Sequence, residues 1–404
     1  MAATPRLSAI AQQVEGRLQP IFVTDIRRAV HLLHLDDGSV VEIAFDAGRV
    51  KCDGHGEPVD ELEMELKKGN AGSLYRLARR LHDRAPLWIS PESKAARGWR
   101  LRTGQGAPAR PASPPDLGPD DDMAAAFRKI ARSSLGHLVV NIPPTLRGDA
   151  EGLHQMRAAL RACRAALEFF APVLSRRPAR RLERKFRRFG RKFGRTRDWD
   201  VFCTQTIPAA TASLPATLDR IGEQAASARD ASHTTLVRLL RSPPFTALIL
   251  SFATQMMDAG AGLFGGPDAG RPFHELAPSL FDRILGKIAK RARNPRSLSA
   301  NGLHRLRKGL DRLYDDMTFV EALYSKEGLE AYRARCEALQ KILGSSNDAV
   351  VTRRLIRRLD RGEARRARKP RGPLVSWSKS RRKEALHDLE RAIDAFRSAP
   401  PFWR

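Results

Sequence analysis

The sequence predicts a multidomain α+β protein, with a small antiparallel β domain at the N-terminal end and an all-α domain after it. Three observations carry that reading. Runs in which apolar and polar residues alternate, the period of a half-buried strand, are confined to the stretch before residue 104. The segment GQGAPARPASPPDLGPDDD at 104–122 is dense in Pro, Gly and Asp, has no periodicity and reads as a linker. Beyond it the pattern is almost wholly helical, and two separate motifs recur at one offset of 150 residues.

In chain order, VVEIAFDAG (40–48) and LEMELKKG (62–69) read as antiparallel strands ending at glycine turns, and GSLYRLARRLHDR (72–84) as one helix. In DELEMELKK (60–68), Glu61, Glu63 and Glu65 alternate with Leu62, Met64 and Leu66, so three carboxylates share one strand face. Glu42 and Asp46 share a face with Ala44 in the same way. Carboxylates converging inside a small barrel suit Mg²⁺ or Mn²⁺, with Arg and Lys beside them for substrate phosphates. An exposed acidic strand balanced by its neighbours meets the same spacing equally well.

The helical part breaks at Pro143-Pro144, Pro172, Pro178, Pro208, Pro215, Pro243-Pro244 and Gly260–Gly270. Leu153-His154-x-x-Arg157 matches Leu303-His304-x-x-Arg307, and FGRTRDWDV (193–201) matches LGSSNDAVV (343–351) at the same offset. Two matches at one offset predict two copies of a helical unit, each with room for about three or four helices.

Charge singles out the helical part. The chain carries 72 Lys+Arg against 45 Asp+Glu, a net +27, of which +3 falls in 1–110 and +24 in 111–404. Such a field attracts nucleic acid, an anionic membrane surface or inorganic phosphate polymers. Four scattered cysteines with no C-x-x-C indicate neither a zinc site nor a disulfide framework. MAATPRLSAIAQQVEGRL at the start lacks the apolar core of a signal peptide. FTALILSFATQMM (245–257) is too short and too polar for a span. The expectation is a soluble cytoplasmic protein without membrane partners.

At about 100° per residue, His154, Arg157, Arg161 and Arg164 fall in one sector of a helix, opposite Met156, Leu160, Cys163 and Leu167. The next segment repeats the arrangement. Leu182, Phe186, Phe189 and Phe193 form its core stripe, while Arg177, Arg181, Arg184, Arg188, Arg191 and Arg195 run along the outer side, and Lys185 and Lys192 border a groove. Only Glu183 interrupts the cations between 176 and 197. A solvated helix face interleaves Glu at i,i+4, so an external anion is expected to supply the compensation here. Arginine's planar fork suits phosphate. Any single arginine is read equally as solvated surface, and a histidine near a helix start as a capping residue; a protonated imidazole leading each stripe would donate to phosphate. Asp198, Asp200 and Asp348 are expected to orient arginines or cap helices, and no residue is assigned a catalytic role.

LHQMRAALRACRAALEFF (153–170), RTRDWDVF (195–202), LHRLRKGLDRLY (303–314) and ILGSSNDAVV (342–351) together resemble the paired signatures of the CHAD domain, the conserved-histidine α-helical domain. The resemblance covers about 123–400. It implies two pseudo-symmetric four-helix bundles, about 123–270 and 271–400, around a basic channel that binds inorganic polyphosphate without a cofactor. His154, Arg157, Arg161, Arg164, His304, Arg305, Arg307, Lys308 and Arg312 fall on the signature positions. Arg181, Lys185, Arg188, Lys192, Arg195, Arg197 and Lys341 are expected to extend the channel wall. Asp311 stands where the family usually has a basic residue, and Tyr314 replaces another, so an asymmetric channel weighted toward 154–197 is expected.

PIFVTDIRR (20–28), VEIAFDAGRV (41–50), DELEMELKKG (60–69) and SKAARGWRL (93–101) resemble the carboxy-terminal half of a CYTH domain, a triphosphate tunnel metalloenzyme. That resemblance implies an antiparallel tunnel hydrolysing triphosphate, with Arg27 or Arg28, Lys94 and Arg97 as phosphate ligands and Glu63 and Glu65 near Mg²⁺ or Mn²⁺. The family's opening E-x-E-x-K strand does not precede this segment. Glu63-Met64-Glu65-Leu66-Lys67 matches the expression but sits at the family's later Glu-rich strand. The expectation is therefore a truncated, degenerate domain (1–103), a linker (104–122) and a polyphosphate-binding domain (123–404), associated with polyphosphate granules. An active metal-dependent inorganic triphosphatase and a nonspecific nucleic-acid binder are the alternatives. Aromatic residues make up only 6% of the chain and none sits in the basic stripes as a stacking platform, which disfavours specific nucleic-acid recognition but leaves binding at low salt. The open edges of a half barrel must be covered or paired, so a homo-oligomer is among the expected partners.

Overall fold

The computed structural model describes residues 19–214, 218–258, 260, 262–360 and 372–404; the N-terminal run read for a signal peptide and the Pro215 break lie outside them. Three strands, β1 (Val23–His34), β2 (Val40–Cys52) and β3 (His55–Lys68), form an antiparallel sheet ordered β1-β2-β3. Helices α1 (Ala71–Arg84) and α2 (Lys94–Thr103) follow. The sheet is joined by tight turns, and Asp53 (φ 47°) with Gly54 (φ 78°) is the left-handed pair a two-residue hairpin demands. β2 runs past Gly48 instead of ending there. That glycine lets β1 approach, since a Cβ would lie 2.0 Å from the Asp25 carbonyl oxygen.

The chain divides into two compact units, one holding the sheet with Ser90–Pro108 and the other Ala71–Ile89 with everything from Ala109. This moves the boundary expected at 103. Although α1 follows β3 directly, it packs on a later helix of the helical unit. His82 is buried with Nε2 3.0 Å from the Pro243 carbonyl, Arg76 pairs with Asp258, and Arg79 donates to the Ser251 hydroxyl at 2.9 Å. The segment 104–122 is also less free than a linker. Leu117 is buried, and Asn141 exchanges hydrogen bonds of 2.9 Å with the backbone of Arg110.

The first helical copy comprises α3 (Met123–Val140), the short α4 (Ile142–Leu146), α5 (Ala150–Phe169), α6 (Arg176–Val201), a π-helical turn, the short α7 (Ile207–Thr211), α8 (Asp219–Leu240) and α9 (Pro243–Met257). The second comprises α10 (Phe273–Arg291), α11 (Ala300–Phe319), α12 (Lys326–Asp360), α13 (Gly372–His387) and α14 (Leu389–Arg397). Helices α3, α5 and α6 begin 150 residues before α10, α11 and α12, the offset seen in the sequence. Asp122, Asp149 and Ser299 cap three of these starts with side-chain acceptors. The copies are stitched by a reciprocal pair of backbone bonds, Met123 N–H to Arg271 and Phe273 N–H to Asp121, both 2.9 Å. These four residues obey the same offset, so the pseudo-two-fold axis passes between Asp122 and Pro272.

Each signature helix buries its apolar stripe: Leu153, Met156, Leu160 and Cys163 on α5, and Leu303, Leu306, Leu310 and Leu313 on α11. The same core takes in Phe169, Phe170, Phe273 and Phe281. Among the described residues no single helix is long and apolar enough to cross a membrane, although the α8–α9 pair, bent by 52°, meets that length and hydropathy jointly. The apolar side chains of α9, including Phe245, Leu248 and Phe252, are buried in the core.

Candidate functional site

The sheet register assembles one charged cluster. Pairing sets Arg28 beside Asp46, Asp46 beside Glu61, and Ala44 beside Glu63, all on one face. Lys94 and Arg97 reach that face from the first turn of α2, whose start is capped by Ser93. Arg28 Nη2 lies 2.5 Å from both Asp46 and Glu63, and Arg97 pairs with Glu61. Asp46 is fully buried, and the Arg28 guanidinium first, then Lys94, hold its carboxyl down at about 2 against the effect of burial. Two expectations are corrected here. Of Arg27 and Arg28 only Arg28 joins the cluster, because neighbouring strand residues point to opposite faces. Glu65 falls outside it, pairs with Lys67 at 2.9 Å and leaves its place to Asp46 and Glu61.

Asp46, Glu61 and Glu63 offer oxygens lying within 4.8 Å of one another, a hard-ligand set of the kind that suits Mg²⁺ or Mn²⁺. The centre is already taken. Lys94 Nζ stands 2.5 Å from Asp46, 2.5 Å from Glu61 and 2.8 Å from Glu63. Burial disfavours that ammonium, but the three carboxylates outweigh it and raise its pKa. As arranged, the cluster neutralises itself, and Lys94 stands where these carboxylates would hold a metal ion.

The second cluster lies on the pseudo-two-fold axis. Arg157 and Arg307, and Asp198 and Asp348, are equivalent pairs at the 150-residue offset, and all four interact electrostatically. Arg197 and Arg354 join them, Arg354 as the ion-pair partner of Asp198. Burial first, and then Arg161, Arg197 and Arg307, pull Arg157 down to about 10, with Asp198 opposing. Among the described residues, no carboxylate lies within 4 Å of Arg157 or Arg197. Burial raises Asp198 and Asp348 despite these cations. His154 and His304 are both lowered by burial, then by Arg197 at the first and Lys308 at the second.

The rest of the basic stripe divides. Arg161 donates to Asp315 at 2.7 and 3.0 Å, Arg312 pairs with Glu168 and approaches Asp316 at 3.5 Å, and Arg164 lies 3.5 Å from Glu168. The compensation expected from an external anion is therefore supplied internally at these three arginines, by carboxylates on facing helices for Arg161 and Arg312 and by Glu168 of its own helix for Arg164. Arg181, Arg188, Lys192, Arg195, Arg305, Lys308 and Lys341 are exposed, and Lys185 is half-buried. Lys308 still interacts with Arg164, Arg187 and Arg191, and its pKa is lowered by burial and by those cations. In the second copy Asp311 lies 4.0 Å from Arg307, and the Tyr314 hydroxyl donates to Glu337 at 2.8 Å. Asp200, as expected of an orienting aspartate, accepts from Arg229 at 2.7 Å and from His233 at 2.8 Å. Arg354 was missed by sequence reasoning: its equivalent in the first copy is Thr204, so the repeat gives no signal for it.

The CHAD domain family model matches residues 129–357, more than half of the chain and both signature helices. The chain belongs to the CHAD domain family. Its CHAD region is similar in structure to the CHAD domain from the plant Ricinus communis, with a TM-score of 0.65 and 25% identity, covering 73% of this chain and 98% of that one. PptA from Streptomyces chartreusis shares the fold at a TM-score of 0.51 and 13% identity, covering 69% of this chain and 99% of that one. An inorganic triphosphatase from Haemophilus influenzae is 38% identical over 94 residues, in the region before the CHAD helices. That match covers 23% of this chain, and the chain spans only about a quarter (26%) of that relative's length.

Proposed function

We propose that the CHAD region binds inorganic polyphosphate at the axial cluster of Arg157, Arg197 and Arg307, with His154 and His304 at its margins. One observation carries this reading: Arg157, Arg197 and Arg307 of the two copies converge on the axis, and among the described residues no carboxylate lies within ion-pair distance of Arg157 or Arg197, so burial first and then these cations hold Arg157 at about 10. A linear polyanion relieves that crowding, and each guanidinium fork engages two phosphoryl oxygens at once. Association with polyphosphate granules in the cytoplasm follows from such binding. The test is binding of long-chain polyphosphate by the full chain at matched salt, with DNA as competitor. Poor competition by DNA is expected, and equal competition overturns the reading.

The two histidines add a pH dependence. Burial and neighbouring cations depress both in the empty site, so both are neutral near pH 7. A bound polyanion favours imidazolium, so binding takes up protons and affinity rises as pH falls toward 5.5. Titrations at pH 7.5 and 5.5 should show the gain, and the His154→Gln/His304→Gln variant should lose it.

For the β unit, we read a triphosphate-related domain that binds without turnover, supported by the match to the inorganic triphosphatase and by Lys94 at the centre of the carboxylates. No phosphate release from tripolyphosphate with Mg²⁺ or Mn²⁺ is expected. Release that Glu63→Gln abolishes would establish the enzyme instead.

A further inference from the structure

Outside the signature helices, α10 carries Arg283, Lys287 and Arg291 at i, i+4 and i+8. All three are exposed, and among the described residues none has a carboxylate within ion-pair distance. Like charges at this spacing repel along a helix. The stripe also faces further cations. Lys287 interacts with Arg283, Arg312 and Arg291, and Arg283 with Arg312, and burial together with these neighbours lowers both groups. Arg291 reaches α11, donating to the Arg305 carbonyl at 3.4 Å, and Arg283 reaches the end of α5, donating to the Phe169 carbonyl at 3.1 Å. Of the acids that act on this stripe, Glu168 is already held by Arg312 and Arg164, and Asp316 lies 3.5 Å from Arg312.

The pseudo-two-fold makes the stripe informative. Its equivalents on α3, at the 150-residue offset, are Ser133, His137 and Asn141. These are neutral and locally satisfied: Ser133 donates to the Ser113 carbonyl at 2.9 Å, His137 meets Gln155 at 2.9 Å, and Asn141 bonds Arg110. The face of α10 is thus basic where the equivalent face of α3 is neutral, and it lies in the copy in which Asp311 weakens the signature. On α11 the two regions approach each other, Arg307 and Lys308 both acting on His304 and Arg312 acting on Lys287 and Arg283.

We propose that α10 forms a second, outlying subsite for linear polyphosphate, in which Lys287 and Arg291 select long chains over short ones. This rests on the reading of the axial cluster as a polyphosphate site. Along α5 the rise from Arg157 to Glu168, which lies beside Lys287, is about 16 Å. A polymer of many phosphoryl units bridges that distance, whereas tripolyphosphate engages only one end. The polymer contacts at α10 add counterion release to its binding and none to the binding of tripolyphosphate.

The experiment uses the full chain and its Lys287→Gln/Arg291→Gln variant, with thermal melting to confirm the fold, titrated with tripolyphosphate and with long-chain polyphosphate over a salt series. Affinity for the long chain is expected to fall about 10-fold, and the slope of log K against log salt to shrink by about 1.4, the value for two single-strand phosphate contacts. Tripolyphosphate binding stays unchanged. An unchanged long-chain affinity, or an equal loss for both ligands, overturns the subsite while leaving the axial reading intact. Failure of the unsubstituted chain to bind polyphosphate at all would remove both.

Discussion

Arg157→Gln is expected to weaken polyphosphate binding by about 10- to 100-fold, the loss of one charge-assisted contact to phosphate. Arg307→Gln should cost less, because Asp311 stands 4.0 Å from Arg307 and already draws on its charge. The two variants separate binding from folding. Among the described residues Arg157 has no ion pair to lose, and burial and neighbouring cations outweigh the attraction of Asp198 in the folded state. Its removal should therefore leave the melting temperature unchanged or slightly raised while binding collapses. Isothermal titration beside a thermal melt reads both. A fall in stability that accounts for the lost binding would sink the assignment, and equal losses at 157 and 307 would sink the asymmetry.

Arg312→Ala is expected to do the opposite, costing about 3–5 kcal/mol of stability, as removing one partner of a buried ion pair does. Its guanidinium is one-fifth exposed and serves Glu168 and the fully buried Asp316 together. Neither Asp316 oxygen has a hydrogen bond of good geometry among the described residues, and burial lifts its pKa well above the usual carboxylate value. A carboxyl whose folded pKa exceeds its unfolded one holds its proton more tightly in the native state. Stability then falls as pH rises through the window above the unfolded value. Asp316→Asn should accordingly stabilise the protein at neutral pH, flatten that dependence, and recover part of the loss in the Arg312→Ala background. Urea melts at pH 5 and pH 8 measure all three effects.

What the sequence discloses and conceals follows from the range of each interaction. The duplication was legible because helix starts and core stripes are local, and an offset of 150 survives even where Asp311 and Tyr314 have drifted. The axial pairs, Arg157 with Arg307 and Asp198 with Asp348, were legible for the same reason. The neutralisation of Arg161 and Arg312 was not, since helical period says which face a residue takes and nothing of what the facing helix presents. Asp315 and Glu168 supply that answer from the other copy. In the sheet, alternation placed Glu61, Glu63 and Glu65 on one face, but only strand register and the position of α2 decide that Lys94 gathers Glu61 and Glu63 and omits Glu65. Helix α1 was recognised as amphipathic, yet amphipathicity does not name the core that receives it.

That last point bears on how the protein can be taken apart. The chain passes between its two units at 70–71, again at 89–90 and again at 108–109. One peptide cut in 104–122 leaves the β unit tethered through α1, which stays bound to α9 by Arg76, Arg79 and His82. A helical fragment begun at residue 123 discards α1 and the buried Leu117 together, and so bares a strip of α9 that the whole protein never exposes. The two units are threaded, and evolution or a protease can part them only by cutting more than once.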